Sequence, residues 1–344
     1  MRRQGFDMKR PVLALARRWA VACCAVLGTS SLCHAAPGEL SEAQRSLAAA
    51  PFTLVAPFPA GGPVDTLARM LANGLGERYK QAAIVDNRTG ANGNIGIEAV
   101  KRAAPTGHTL LVVPAGNLTI NPTLMPRLGY DVEADFSPVA SLAKAPNVLA
   151  VNPAVPARSI RELIALSQAH PGTLSYATPG VGSGLHLAGE LFKQQSGADL
   201  LHVAYKGSPP ALNDVLGGTV PVIVGNLPTL LPHIQQGKLR ALAVTDPVRA
   251  PLLPEVPTLA EAGVPGVAVT SWYGVMAPKG TPEAVRTQLA TDIGQILNTP
   301  ANKAQLEKQG LVVWITAGAA FGDVIRKETA TWLPVIKSRK IEAQ

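Results

Sequence analysis

Residues 52–75 read FTLVAPFPAGGPVDTLARMLANGL, and that stretch decides the fold. Its opening run, Phe52 to Ala56, is apolar and too short for a helix, which fits a strand covered on both faces. Pro57, Pro59 and the pair Gly61-Gly62 then break the regular pattern. Beyond them Leu67, Met70, Leu71 and Leu75 fall at i, i+3, i+4 and i+8, which predicts an amphipathic helix starting near Asp65. Strand, glycine turn and helix in that order form the unit from which open parallel sheets are wound.

The same alternation continues along the chain. Further strands are predicted over 83–86, 109–114, 147–151, 174–177, 200–204, 220–224 and 239–245, with helices between them. Ser159 with Glu162 reads as a capping box, Ser208-Pro209 and Thr281-Pro282 as N-caps followed by a first-turn proline, and Gly217 as a helix end. There is no fixed-period repeat, no heptad run and no charged linker, so two domains are expected to be joined by several strands.

A chain of 344 residues suits two domains at roughly 100 to 200 residues each. Its net charge of +8 is concentrated at the start, where six basic residues against Asp7 give +5 within the first 35 residues. Residues 36–344 carry 25 basic and 22 acidic residues, or +3, with no basic run of the kind that tracks nucleic acid, so nucleic-acid binding is not expected. The basic start, the apolar run Ala20 to Leu32 and the sequence Cys33-His34-Ala35 predict an export signal over 1–35, cleaved near Ala35. That run is shorter than the roughly 20 residues of a membrane-spanning helix. Cys23, Cys24 and Cys33 all lie in the signal, leaving no cysteine for a disulfide or metal site in the exported chain. Residues 36–51 read as a tail or short helix with little to pack.

The residues able to bind something sit where strands meet helices. Phe58, Ala60, Gly61 and Gly62 form the first loop, in which paired glycines admit close backbone approach and the following helix exposes unpaired N–H groups. Asp65 is a candidate there, although its place also suits a helix cap. A second loop, Thr178 to Gly184, offers Thr178, Gly180, Gly182, Ser183 and, one turn on, His186. Its G-x-G-x-G spacing is neither a dinucleotide fingerprint nor a Walker loop, and Ser183 lacks the glycine frame of a nucleophile elbow. No cofactor is therefore expected. Tyr205, Lys206, Asn117, Gly225 and Asn226 hold similar strand-end positions, the favoured ligand position in open α/β sheets. The mature histidines have no metal-ligand spacing, and no catalytic carboxylate pair stands out.

These motifs, taken in order, resemble a known family. The first loop, Asn87 to Gly93, Asn121-Pro122, Tyr130-Asp131, Asp135 to Val139, Gly180 to His186, His202 to Gly207, Leu239 to Val244, Val256 to Thr258 and Trp272 to Gly274 look like the Bug/TctC family, the solute-binding receptors of tripartite tricarboxylate transporters. The resemblance implies a type II periplasmic-binding-protein fold, with two α/β domains and crossing hinge strands around a ligand cleft. It assigns residues 52–149 and 273–344 to one domain and 150–272 to the other. It implies a periplasmic receptor that is not an enzyme, holds a small mono-, di- or tricarboxylate on backbone N–H groups, and delivers it to membrane permease subunits. A monomer is expected. The alternatives are a secreted α/β hydrolase and an orphan receptor feeding a sensor.

Two positions depart from the family pattern. Gly225 stands where many members carry an acidic residue, with Pro221 inside the preceding strand, so the pocket is expected to lack a partner for an ammonium group. Val64 replaces a small hydroxyl residue and leaves that contact to the backbone.

Overall fold

Apolar runs without polar alternation need cover on both faces, and the chain supplies it with two sheets flanked by helices. The computed structural model describes residues 40–125, 128–338 and 340–341, so the expected export signal lies outside the described residues. In chain order the strands are β1 (Phe52–Ala56), β2 (Ala83–Asn87), β3 (Thr109–Pro114), β4 (Phe136–Ala145), β5 (Asn147–Val151), β6 (Ser175–Thr178), β7 (Leu201–Ala204), β8 (Val222–Asn226), β9 (Arg240–Val244), β10 (Ser271–Pro278) and β11 (Val312–Val313). They form one six-stranded sheet, β11-β4-β10-β3-β1-β2, and one five-stranded sheet, β7-β6-β8-β5-β9, within a compact unit spanning residues 41–344.

Neither sheet is wholly parallel. β1 pairs in parallel with β2 and β3, and β6 with β7 and β8, while β10 runs antiparallel to β3 and β4, and β5 antiparallel to β8 and β9. The chain passes from the first sheet to the second between Ala145 and Asn147, and returns before Ser271, whose register partner is Ala145. The two crossings thus lie side by side. β5 belongs to the second sheet from Asn147 onward, so the expected boundary at 149 falls inside a strand. The last helix, Gly318–Ser338, places Phe321 and Ile325 in a first-lobe core cluster and Ile336 in the main second-lobe cluster, so residues 273–344 do not belong to one lobe alone.

Side-chain alternation divides each sheet between two cores. Leu54, Leu110 and Val112 pack with Leu67, Leu71 and Leu75 of helix Pro63–Tyr79, while Val55, Leu111 and Val113 face Ile97 and Val100 on the other side. Three caps differ from expectation. Glu162 accepts from the Arg158 N–H rather than from Ser159, Gly207 rather than Ser208 caps helix Ser208–Leu216, and Pro282 rather than Thr281 caps helix Glu283–Leu297. In the last two cases the proline stands one place from where a hydroxyl cap would need it.

Residues 42–47 are more than a tail. Ser41 Oγ accepts the Gln44 N–H at 3.1 Å and Gln44 Oε1 accepts the Ser41 N–H at 2.9 Å, closing a capping box on helix Glu42–Leu47. That helix buries Leu47 completely in the core shared with Val285 and Leu289.

Behind the second glycine loop, His186 stacks on His202 with ring centroids 4.2 Å apart. His186 Nδ1 accepts the Gly182 N–H at 3.3 Å, and His202 Nε2 lies 2.7 Å from Thr178 Oγ1. Burial pushes His186 down to about 4 and, with the neighbouring His186, His202 down to about 3, so both rings are neutral near pH 7.

Two outcomes follow from this packing. Leu47→Ala should cost about 2–5 kcal/mol in urea unfolding, the usual loss for a buried leucine, and a loss near zero would make the segment a dispensable tail. Below about pH 6.5 the unfolded histidines take up protons that the folded rings refuse, so their contribution to stability falls from about pH 6.5 down to about 4 for His186 and about 3 for His202. His186→Asn keeps an acceptor for Gly182 and should flatten that fall. Burial also pushes Asp246 up to about 6, which acts with the opposite sign, so the comparison is the difference between wild type and variant. Parallel pH profiles for the two proteins would contradict the assignment.

Candidate functional site

The C-terminal ends of β1, β3, β6 and β8 meet at one cleft between the two sheets, with about 750 Å³ of empty space, open solvent included. A strand that ends there hands the chain to a helix whose first amides have no intrahelical acceptor. Helix Pro63–Tyr79 brings Gly62, Pro63 and Val64 to the wall, and helix Gly184–Ser196 brings Ser183, Gly184 and Leu185. Helix Ser208–Leu216 adds Ser208 and Pro209. Because Pro209 and Pro210 have no N–H, this third terminus offers chiefly the Ser208 hydroxyl. Partial positive charge from these termini converges on the cleft, and no cationic side chain lines it among the described residues.

The lobes touch around this space. Asn117 Nδ2 donates to the Asn92 carbonyl at 2.9 Å, and Asn92 Nδ2 donates to the Val181 carbonyl of the other lobe. A Cβ at Gly116 would lie 2.7 Å from the Gly182 carbonyl oxygen, so only glycine permits that approach. At the crossings, Asn147 binds the lobes into one hinge. Its N–H donates to Asp246 at 2.8 Å, its Nδ2 donates to the Val269 carbonyl at 2.8 Å, and its Oδ1 accepts from Asn226 Nδ2 and Ser271 Oγ.

Of the residues expected from sequence, Phe58, Gly62, Asn117, Ser183 and Asn226 line the cleft. The Ser183 hydroxyl is committed, donating to the Gly180 carbonyl at 2.8 Å and accepting the His186 N–H at 3.1 Å. It is a helix cap rather than a donor aimed at a ligand. Asn226 is likewise engaged at the hinge.

The other expected residues stand behind the wall or away from it. Ala60 is exposed outside the cleft lining. The Gly61 N–H is spent on Asp65 Oδ2 at 3.0 Å, and Asp65 also accepts from Arg69 and Asn87. Burial opposes the Asp65 charge, but these donors hold its carboxyl below the ordinary range, so the carboxylate ties the loop to the helix. The Gly182 N–H is spent on His186, with φ at +75° and a hypothetical Cβ 2.0 Å from Asn121 Oδ1, so glycine is required here for packing. Thr178, Gly180 and His186 form the buried scaffold under that turn. The Tyr205 hydroxyl donates to Asp214 Oδ2 at 2.6 Å, and Lys206 is exposed outside the lining. Gly225 pairs with Val148 inside the sheet, beneath Leu230.

Sequence reasoning missed six lining residues with polar groups, Ser208, Thr270, Ser271, Tyr273, Glu328 and Trp332. Tyr273 is 2% exposed, and its hydroxyl has no hydrogen-bond partner among the described residues. Burial raises its pKa well above the ordinary phenol value, so it remains a neutral donor. Its register partner is Pro114, which sets it at the cleft end of β3. Glu328 reaches the lining from the last helix. Gly225 brings no acidic side chain to its position, while Glu328, about 100 residues further along the chain, is an acidic lining residue that the expectation did not include. The sequence signal for Tyr273 was its place in the returning strand; none marked Glu328.

Among the described residues no helix is long and apolar enough to cross a membrane. Residues 67–341 match the family described as tripartite tricarboxylate transporter family receptor. Protein BugT of Bordetella pertussis is 38% identical over 290 residues, covering 84% of this chain and 89% of its own. The solved structure of Rpa4515 from R. palustris with adipate is 37% identical, with a TM-score of 0.82, covering 86% of this chain and 98% of that one. The periplasmic binding protein BugD is 32% identical, with a TM-score of 0.81, covering 86% and 99%. The two-lobed α/β arrangement is accordingly that of type II periplasmic binding proteins. The chain belongs to the TctC family of tripartite tricarboxylate transporter receptors, whose Bug members it resembles over nearly all of its described length.

Proposed function

We propose that this protein captures a small carboxylated metabolite in the cleft and delivers it, as a monomer exported to the periplasm, to the membrane permease of a tripartite tricarboxylate transporter. The observation that carries the reading is Tyr273, which lines the same cleft as the first turns of helices Pro63–Tyr79 and Gly184–Ser196 and whose buried hydroxyl has no partner among the described residues. A buried hydroxyl without a partner costs stability unless a ligand completes it. A carboxylate supplies the acceptor that all three donor groups lack.

Magnitudes support the reading. Hydrogen bonds to a charged group contribute roughly 1.5–3 kcal/mol each, so three or four of them reach the approximately 8 kcal/mol of micromolar binding before ordering costs are subtracted. Contacts drawn from both lobes exist together only in the closed arrangement, which is how a ligand signals its capture to a permease. The adipate in the Rpa4515 structure is a ligand of the same chemistry. A hydrolase reading loses ground because the Ser183 hydroxyl and His186 Nδ1 are both consumed in holding the loop, leaving no activated nucleophile there.

Titration calorimetry against short organic acids should give micromolar or tighter binding for at least one of them, with the acid recovered unchanged. Tyr273→Phe should weaken that binding by about 10- to 100-fold with little change in the unfolding midpoint, because the hydroxyl has no partner among the described residues. Undiminished affinity in Tyr273→Phe would place the carboxylate elsewhere.

A further inference from the structure

The pair Asn121-Pro122 stands out in the sequence, yet Asn121 is not among the residues lining the cleft. It opens a single turn of helix, Asn121–Leu124, between β3 and β4, so it belongs to the first lobe. Its side chain is completely buried, and neither Oδ1 nor Nδ2 has a hydrogen-bond partner among the described residues. The Tyr130 hydroxyl beside it is spent on the Asn117 carbonyl at 2.6 Å. The cover over Asn121 comes from the second lobe, where a Cβ at Gly182 would lie 2.0 Å from Asn121 Oδ1. On either side of Asn121, Ile120 and Leu124 join the main second-lobe core with Leu185.

Closing the lobes therefore has two opposed consequences at one turn of chain. Ile120 and Leu124 gain apolar cover, which favours contact. The satisfied bond from Asn92 Nδ2 to the Val181 carbonyl works in the same direction. Asn121 gives up water for surroundings that return no hydrogen bond, which opposes contact. Parting the lobes lifts the Gly182 turn away and lets water reach both polar atoms. We infer that Asn121 is a counterweight to closure: it holds the ligand-free protein toward the open arrangement, so that the lobes stay shut only when a ligand adds its own contacts. A ligand must then supply the closure energy, which keeps capture and closure linked. The inference concerns the empty protein and stands apart from which ligand the cleft takes.

Two variants test it. Asn121→Leu keeps the branched shape without polar atoms, and Asn121→Ala removes them without added bulk. In the exported protein, expected to have no cysteine of its own, spin labels at Thr89→Cys and Lys206→Cys report lobe contact as dipolar broadening. Both positions are exposed, and they flank the approach of Asn92 to Gly180 and Tyr205. Without ligand, the ratio of closely spaced to separated labels should rise about tenfold in both variants. Calorimetry with succinate, glutarate, adipate and malate should show any acid that binds the wild type binding up to about tenfold more tightly in the variants. An Asn121 that merely supports its own helix gives the opposite sign, with weaker binding, a lower unfolding midpoint and no gain in closed fraction. That outcome overturns the inference, as does a wild type whose empty lobes are already fully closed. Should Asn121→Leu fail to fold, Asn121→Ala decides. Failure of all four acids to bind would count against the carboxylate reading, while the label measurement would still decide this one.

Discussion

Two strand crossings set side by side govern the rest of this structure. Because the chain leaves the first sheet at Ala145 and re-enters it at Ser271, directly opposite, the lobes are tied along one line. Asn147 secures that line with hydrogen bonds to Asp246, Val269, Asn226 and Ser271. Every other feature of the cleft depends on this geometry. It turns the strand ends of both sheets toward one another, and it brings Tyr273, two residues into β10, to the edge of the space between them.

The cleft economises on charge. Most of the loop amides that look available are used to build the loops: Gly61 on Asp65, Gly182 on His186. What remains for a ligand is a small set of first-turn amides, the Tyr273 hydroxyl and the Ser208 hydroxyl. Neutral donors of this kind recognise a carboxylate without the desolvation cost of a buried cation. Their weakness is poor discrimination, since they treat all carboxylates alike. Glu328, held by two indoles and a threonine hydroxyl, is the one acidic side chain among the described lining residues.

The parts of the fold written in short-range patterns were legible. The apolar run of β1, the glycine turn and the Leu67 to Leu75 stripe appear in the structure as strand, loop and helix. β4 was not legible as a strand of its own, because Ser137, Pro138, Ser141 and Lys144 interrupt its apolar pattern and its pairing with β10 is supplied from more than 120 residues away. Strand direction was equally hidden, since a buried antiparallel strand such as β5 has the same composition as a parallel one. At the site, sequence located the loops but not the direction of their N–H groups. Glycine at 182 marks a left-handed turn packed on Asn121, a role that reads identically to ligand approach until the neighbours are known. Glu328 had no local signature, as only tertiary structure carries the last helix to the cleft.

The central claim is that amides from both lobes hold one carboxylate across the cleft. Amide-resolved NMR during titration with a binding acid tests it most directly. The account predicts that Val64 and Asp65 of the first lobe and Gly184 and Leu185 of the second shift together, with one shared dissociation constant. Shifts confined to one lobe, or centred on surfaces away from these helix starts, would contradict it.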